Sequence, residues 1–326
     1  MNRITWLDTA KGIGILLVIL GHMAIPEKLS IIIFSFHMPL FFFISGFLFN
    51  ENKYLLNKKI YIKKFSSLIW PFYTFTILTL ILNIILHNTG ELSSFVYFKQ
   101  VLLDMMFAND SIDTPLWFLT ALFTTEIIFF QLLKYYKDKV IFIIFIIFVI
   151  GLLNAYSLDL KLFFNIHIAM IGLIFFTAGW YIKDKLYLMD IIKVNFFYKF
   201  IFLLMVLVFL ALNNQKIDMY SMQYGNIFYF MGTSFIGIFL VLLISIRLDN
   251  IKFISIVLNY LGRNSLILLA MHGIIPLIVH YFIGTLPFRM DRIINIVLLF
   301  ASIEFINRYF LIMLALKLNW RYKKSE

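Results

Sequence analysis

Residues 4–22 read ITWLDTAKGIGILLVILGH, and this stretch decides the class of fold. An apolar run from Gly12 to Gly21 separates two ionisable residues, Lys11 and His22. A helix rises about 1.5 Å per residue, so these two side chains stand about 16 Å apart and, nearly three turns apart, on almost the same face. An imidazole in a membrane-spanning segment is costly to keep, so a functional role is the default interpretation.

The composition of the whole chain agrees with a membrane protein. Of its 326 residues, 62% are hydrophobic and only 14% are charged, with a mean hydropathy of +0.94, whereas soluble domains carry about 25% charged residues. We therefore predict an all-α, polytopic integral membrane protein that forms a single domain over residues 1–326. About 20 apolar residues are needed for a membrane helix, and the runs of this kind predict ten spans: 6–25, 30–49, 66–87, 115–136, 139–153 (short), 162–182, 196–212, 228–246, 264–283 and 293–316.

The positions of Lys and Arg predict the orientation of these spans. A net charge of +11 would suggest nucleic-acid binding in a soluble chain. With the N-terminus placed inside, however, 21 of the 28 basic residues fall in inside segments and six in outside segments. Cytoplasmic loops carry the excess of basic residues, so we predict that both termini are cytoplasmic. Membrane lipid is then the expected partner, and no nucleic-acid partner is predicted.

A second imidazole, His37, lies about seven residues into the second span and therefore about 10 Å deep, near the level of His22. The short outside loop makes the two helices antiparallel neighbours, and Pro39 is expected to bend the helix just below His37. We therefore expect both rings to face one cavity, as a general base with a partner. A metal would need a third ligand, and no metal site is predicted. The alternative is structural: Lys11 snorkels to the headgroups and His22 bonds a neighbouring helix.

Two further features have both a functional and a structural interpretation. Glu126 lies near the middle of its span, where a carboxylate needs a basic or polar partner; it serves either chemistry or a packing hydrogen bond. The first inside loop carries a group of lysines that either binds the phosphates of a cytoplasmic cofactor or serves topology and lipid contact. These lysines are Lys53, Lys58, Lys59, Lys63 and Lys64.

Five segments together resemble the membrane acyltransferase 3 family, and within it the fucose 4-O-acetylase type. They are the Lys11-x10-His22 pair, FHMPLFFFISGFL at 36–48, the basic loop that ends at Pro71, PLWFL at 115–119 and LGRNS at 261–265. The resemblance implies a ten-helix acyltransferase that takes acetyl groups from cytoplasmic acetyl-CoA. Its acceptors would be hydroxyls of a surface polysaccharide or of a lipid-linked sugar precursor, in a plasma membrane of the bacterial type. Many members have Arg where this chain has Lys11, and Lys63 and Lys64 replace a usual arginine pair.

The resemblance and the residue positions together give a set of expected roles. His22 is expected to act as general base or acetyl acceptor, with His37 and Glu126 orienting the base or the sugar. The expected cofactor-binding residues are Lys11, Lys63, Lys64 and Arg263, and Trp117 and His272 are expected to contact the carbohydrate. The alternative function is a proton-coupled secondary transporter or flippase of lipid-linked sugars, in which the intramembrane ionisable residues relay protons. Many transporters show matching repeats and broken helices in two halves, and no such pairing is visible in the sequence.

Overall fold

The computed structural model describes residues 4–52, 59–87, 99, 107, 115–183, 196–284 and 288–322. Within these ranges the fold is all-helical, apart from one isolated β-bridge between Asp218 and Gln223. The α-helices seen there are α1 (Thr5–Gly21), α2 (Glu27–Phe34), α3 (His37–Leu48), α4 (Lys59–Lys64), α5 (Trp70–His87), α6 (Trp117–Tyr136), α7 (Val140–Leu153), α8 (Ile166–Ile182), α9 (Phe196–Leu212), α10 (Ile227–Asp249), α11 (Lys252–Arg263), α12 (Ser265–Ile283) and α13 (Phe288–Tyr322).

Several of these helices have the length and composition of membrane spans. In the described ranges, six helical stretches are long and apolar enough to cross a bilayer. They are Glu27–Leu48, Ile60–Asn83, Trp117–Leu158, Phe163–Ile182, Ile227–Asp249 and Ser265–Ile283. Helices α1 and α9 are shorter, with 17 residues each. The predicted class, an all-α polytopic membrane protein, is confirmed at this level.

The second predicted span is broken near its N-terminal end. Phe36 (φ −144°, ψ −14°) leaves the helical region, so α2 ends at Phe34 and α3 begins at His37. The carbonyl oxygen of Ser35 accepts a hydrogen bond of 2.8 Å from the hydroxyl of Ser234, which satisfies the backbone at the break. Pro39 falls in the first turn of α3, where its missing N–H costs no helical bond. The expected bend below His37 is therefore wrong; the break lies above it.

The long stretch 117–158 contains two helices. The backbone departs from helical geometry at Tyr136 (φ −138°, ψ 39°) and at Lys139 (φ −111°, ψ 4°), which separates α6 from α7. Both helices pack against α8. The predicted spans 115–136 and 139–153 are thus confirmed as separate helices, and a π-helical turn, Asn154–Leu158, lengthens the second one.

Helix α11 was not among the predicted spans, and it packs in direct contact with the backbone of α1. It is amphipathic: Phe253 and Ile256 are exposed, whereas Leu258, Leu261 and Gly262 are buried. Its buried face lies along α1. A Cβ on Gly12 would collide with the Leu258 carbonyl group, and one on Gly262 would collide with the Asp8 carbonyl group. The two backbones therefore touch directly.

A second pair of glycines brings the backbones of α3 and α8 into direct contact. A Cβ at Gly46 would collide with the Phe176 carbonyl group, and one at Gly179 would collide with the Phe43 carbonyl group. Small residues let helix backbones approach closely in a membrane, where lipid tails remove the hydrophobic drive for helices to associate. One glycine pair thus fixes α1 against α11, and the other fixes α3 against α8. These four helices carry several of the polar residues described below.

Replacing Gly262 with Ala tests this packing. The new methyl group meets the Asp8 backbone, which cannot yield as a side chain does, so we expect a loss of stability of about 1–3 kcal/mol and a lower melting temperature in detergent. Gly232→Ala is the matched control, because its methyl group would meet only a terminal methyl of Leu210, at 3.2 Å. That variant should keep or raise the melting temperature, since Ala is favoured over Gly in a helix. Equal melting temperatures for the two variants would contradict the direct backbone contact.

Candidate active site

A cavity of about 280 Å³ opens at the end of α1. His22, the residue that follows the helix, lies on its wall, and α12 and the beginning of α13 supply most of the remainder. The lining is largely apolar. The polar side chains that reach it are His22, His272, Asp291, Arg292 and Asn295.

Two imidazoles face each other in this cavity. The ring centroids of His22 and His272 are 5.1 Å apart, with the ring planes at 52°. The Nδ1 atom of His272 lies 2.8 Å from the carbonyl oxygen of Leu269, so Nδ1 carries the proton and donates it to that oxygen. In the neutral ring, Nε2 of His272 is then an acceptor. Pro276, one turn further along α12, also lines the cavity.

His37 lies outside this cavity wall. Its side chain is buried, with 3% of its surface exposed, and its Nδ1 donates to the Ile33 carbonyl oxygen at 2.8 Å. The ring of Phe34 contacts both His22 (5.6 Å between centroids) and His37 (4.9 Å). The expectation that His22 and His37 share one cavity is therefore wrong. Because the helix breaks just before His37, its ring turns into the bundle, and His272 takes the expected place beside His22.

A folded loop from 213 to 226 brings charge near the same rings. The Nζ atom of Lys216 lies 4.2 Å from the centre of the Phe34 ring, a cation–π contact. Asn214 braces the loop: its Oδ1 accepts from the backbone N–H of Asn226 at 2.7 Å, and its Nδ2 donates to the Tyr224 carbonyl oxygen at 3.2 Å. Both Lys216 and Asp218 lie close enough to His22 to interact with it electrostatically.

Three residues of α13 that sequence reasoning missed lie on the cavity wall: Asp291, Arg292 and Asn295. The signal was present, since a charged pair followed three residues later by an amide interrupts the start of an apolar run. The Oδ1 atom of Asn295 is buried and has no hydrogen-bond partner among the described residues. A buried acceptor without a donor is costly, and the side chain that carries this one lines the cavity.

At the other end of α1, two of the predicted cofactor-binding residues come together. Asp8, a residue that the sequence analysis did not select, lies 3.9 Å from the Nζ of Lys11 and 3.7 Å from the Nε of Arg263. The spacing of Asp8 and Lys11, three residues apart on a helix, could have revealed the first contact. The side chains of Lys11 and Arg263 are 27% and 48% exposed, so the Lys11 cation is partly buried and the Arg263 cation is exposed.

Beside this charge cluster, Asp249 joins the ends of three helices. Its carboxylate accepts hydrogen bonds from the hydroxyls of Thr5 (2.5 Å), Thr9 (3.0 Å) and Ser255 (2.7 Å). The side-chain amide of Asn259 donates to it as well, at 3.2 Å. Four donors from α1 and α11 therefore bind one carboxylate at the end of α10. This network holds α11, and with it Arg263, in a fixed position beside α1.

Tyr260 links the same helix to α13. Its hydroxyl donates to the Oε1 atom of Glu304 at 2.5 Å. Partial burial and this hydrogen bond raise the pKa of Tyr260 to about 12, so the hydroxyl remains a donor at any physiological pH. The amide of Asn307 adds a hydrogen bond to Asn264 Oδ1, at 2.9 Å. These two hydrogen bonds join α13 to α11 and to the start of α12.

The predicted need of Glu126 for a basic partner is confirmed, and the partner is Lys64. Their atoms Oε1 and Nζ are 2.6 Å apart, and Glu126 is only 3% exposed. Neither residue lines the cavity at His22. The charge of Lys64 is therefore compensated inside the bundle, whereas Lys63 beside it is exposed. Lys53 and Lys58 lie outside the described residues.

Trp117 also lies away from the cavity at His22. Its side chain is buried, with 7% of its surface exposed, at the start of α6. Tyr220 lies over it, with ring centroids 6.0 Å apart and planes at 32°. The structure thus places this expected carbohydrate contact within an aromatic cluster under the 213–226 loop.

The described residues therefore form a helical membrane protein with a histidine-lined cavity at one end of α1 and a cationic cluster at the other. Residues 4–306 of the chain match a family model described as an acyltransferase domain. Because this match covers most of the sequence, the chain belongs to the membrane acyltransferase 3 family and is an acyltransferase. Comparisons with curated proteins and with solved structures give no match.

Replacing Lys64 with Met tests the buried ion pair. The change leaves the Glu126 carboxylate buried without its partner, so we expect a loss of stability toward the lower end of about 3–5 kcal/mol, because Lys64 is partly exposed. The double variant Lys64→Met/Glu126→Leu should recover most of the loss, and Lys63→Met should leave the melting temperature unchanged. Thermal unfolding of the three purified proteins measures this. Similar destabilisation by the Lys63 and Lys64 variants would argue against a specific pair.

Proposed function

We propose that this acyltransferase transfers acetyl groups from acetyl-CoA to a hydroxyl of a sugar, either in a surface polysaccharide or in its lipid-linked precursor. The observation that carries the proposal is the position of His22 on a cavity wall, opposite His272, at the far end of the helix that holds Lys11. A plasma membrane of the bacterial type is the corresponding location. The transporter alternative is not retained, because the family of the chain is one of acyltransferases.

The donor would bind at the cationic end of α1. Lys11 and Arg263 are held on either side of Asp8, and concentrated cationic side chains favour phosphate groups. Exposed Lys63 adds positive charge to the same side of the membrane in the proposed topology. From Lys11, α1 rises about 16 Å to His22, a length comparable to the pantetheine arm of CoA. The thioester would then reach the cavity while the nucleotide stays at the surface.

The chemistry at the other end needs one proton acceptor. An imidazole has an unperturbed pKa near neutrality and is suited to general base catalysis. His22 accepts the proton of the acceptor hydroxyl as its oxygen attacks the thioester carbonyl carbon. The C–S bond then breaks, and the departing thiolate takes the proton back from the imidazolium. In the two-step variant, the His22 nitrogen attacks the thioester carbonyl carbon, the C–S bond breaks, and CoA leaves as a thiolate that takes the imidazole proton. The hydroxyl oxygen then attacks the acetyl group on His22, the C–N bond breaks, and the hydroxyl proton passes to the imidazole.

Of the remaining predicted residues, His272 lies at this centre, and His37, Glu126 and Trp117 act from a distance through the elements that they hold. His272 binds or orients the acceptor through its Nε2, which is an acceptor in the neutral ring. His37 acts through Phe34, whose ring contacts both His37 and His22. Glu126 keeps α6 and the α4–α5 segment together through Lys64. Trp117 supports the 213–226 loop, which brings Lys216 toward His22.

His22→Ala is the direct test. A positioned general base contributes about 100- to 10,000-fold to a rate, so transfer of label from radioactive acetyl-CoA to glycan should fall by that range in a membrane preparation. His280→Ala is the matched control, because His280 is exposed near the far end of α12 and does not line the cavity. Full activity of the His22 variant, with both proteins expressed at equal levels, would refute the role.

The proposed topology has ten membrane passes, with both termini and the α11 surface in the cytoplasm. Because the sequence contains no cysteine, single cysteines report accessibility without background. We expect Arg263→Cys to react with a membrane-impermeant maleimide in inside-out vesicles only, and CoA to slow that reaction. Lys28→Cys, an exposed position between α1 and α3, should react from the opposite side and be indifferent to CoA.

The two readouts of this experiment are independent. Labelling of both positions from the same side would contradict the topology. Labelling of position 263 from the cytoplasmic side without protection by CoA would support the topology and show that, without the Arg263 side chain, Lys11 and Lys63 do not hold CoA beside this position.

A further inference from the structure

We propose that the beginning of α13 selects the acceptor, and that the acceptor unit is a single neutral sugar ring held by a hydroxyl other than the one that is acetylated. Asn295 is the residue that receives this second hydroxyl. The inference rests on the proposed function and names the substrate class and a specificity-determining residue of the same cavity.

Asn295 carries an unpaired acceptor beside the cavity. Its side chain lines the cavity, and its Oδ1 is buried beneath that surface with no hydrogen-bond partner in the described part of the chain. Buried polar groups in folded proteins are nearly always paired, and a rotation of the side-chain amide would turn this acceptor toward a ligand in the cavity. The donor that fits it is an O–H or N–H group, and a sugar presents several O–H groups around one ring.

The second step is the charge of the wall. Asp291 and Arg292 lie on the same cavity and carry opposite charges, so the beginning of α13 contributes no excess of either sign. A uronic acid or a phosphate would need an excess of cations around it. Alternating acceptors and donors are instead what a neutral polyol needs. Asp291 and Asn295, four residues apart, project from the same side of the helix.

The third step is size. A cavity of about 280 Å³ lies just below the range of about 300–1,000 Å³ typical of small-molecule pockets. Its volume corresponds to about nine water molecules at liquid density, which suits one ring rather than a longer oligosaccharide. With one ring in place, a hydroxyl between His22 and His272 is the one acetylated, and a second hydroxyl on the same ring would meet Asn295, which lines the same cavity.

Asn295→Leu tests the inference in the full-length protein reconstituted in nanodiscs. Leucine has nearly the shape of asparagine without its polar atoms, so it also removes a buried unpaired acceptor and should preserve or raise the melting temperature. The acceptors are the methyl glycosides of glucose, galactose, fucose and N-acetylglucosamine, with methyl glucuronide as the anionic comparison and radioactive acetyl-CoA as donor. Val297→Leu is the control, because Val297 is exposed on the outer side of the same helix.

We expect wild-type protein to acetylate at least one neutral glycoside in preference to the glucuronide. Asn295→Leu should raise the KM for that glycoside about tenfold, the effect of losing one hydrogen bond in a closed site, with the KM for acetyl-CoA unchanged. One monodeoxy analogue of the glycoside should be a poor acceptor for wild type and should show no further loss with the variant, because both changes remove the same hydrogen bond.

An unchanged KM for the glycoside in Asn295→Leu, or a wild-type preference for the glucuronide, would overturn the inference and leave the proposed function standing. Transfer to none of the glycosides by the wild-type protein would instead count against the proposed sugar acetylation itself. The two failures are therefore distinguished by whether the wild-type protein acetylates any of the glycosides.

Discussion

The direct backbone contact between α1 and α11 determines where Arg263 lies relative to Asp8 and Lys11. Lipid gives helices no hydrophobic reason to associate, so close contact and polar bonds must hold them. Glycines at 12 and 262 allow that contact, and the hydrogen bonds of Asp249 reinforce it. Arg263 is thereby held beside Asp8. Since α1 is a single continuous helix, fixing one of its ends also fixes His22 at the other.

The continuous helix α1 also separates the cations proposed to bind the donor from the imidazoles proposed to act on it. Cations lie where water can reach them, and imidazoles lie in a largely apolar cavity about 16 Å along the helix. A donor with a charged head and a long neutral arm matches this separation. Neither end needs to move to serve the other, because the helix between them supplies the distance. A rigid spacing of this kind is how a membrane protein can hold a bulky anion outside the bilayer and still act inside it.

Much of the fold could be predicted from the sequence, because apolar runs in a membrane protein leave few alternatives to a helix. The all-helical class and the separate helices α6 and α7 were predicted in this way. The break before His37 was not, since it depends on Ser234 reaching the Ser35 carbonyl from a distant helix. Helix α11 was also missed, because its exposed apolar side chains are spread over an amphipathic surface and do not form a continuous run.

The candidate site was predicted only in part, for the same reason. Local spacing selected His22 and Lys11, which lie on one helix. It gave the wrong neighbour for His22, because His272 is 250 positions away and only tertiary packing brings it close. The charge of Glu126 predicted a basic or polar partner, but it did not identify Lys64 as that partner. Asp291 and Asn295 could not be selected from the sequence, because only the folded structure shows that they line the cavity.

Pro276 gives α12 a property that its side chains alone do not reveal. A proline has no N–H to donate to the carbonyl group four residues earlier, and that carbonyl belongs to His272. The regular helical bond at this oxygen is therefore missing at the depth of the imidazole pair. His272 thus contributes a main-chain acceptor, freed from its regular helical bond, in addition to its ring, on a helix that lines the cavity.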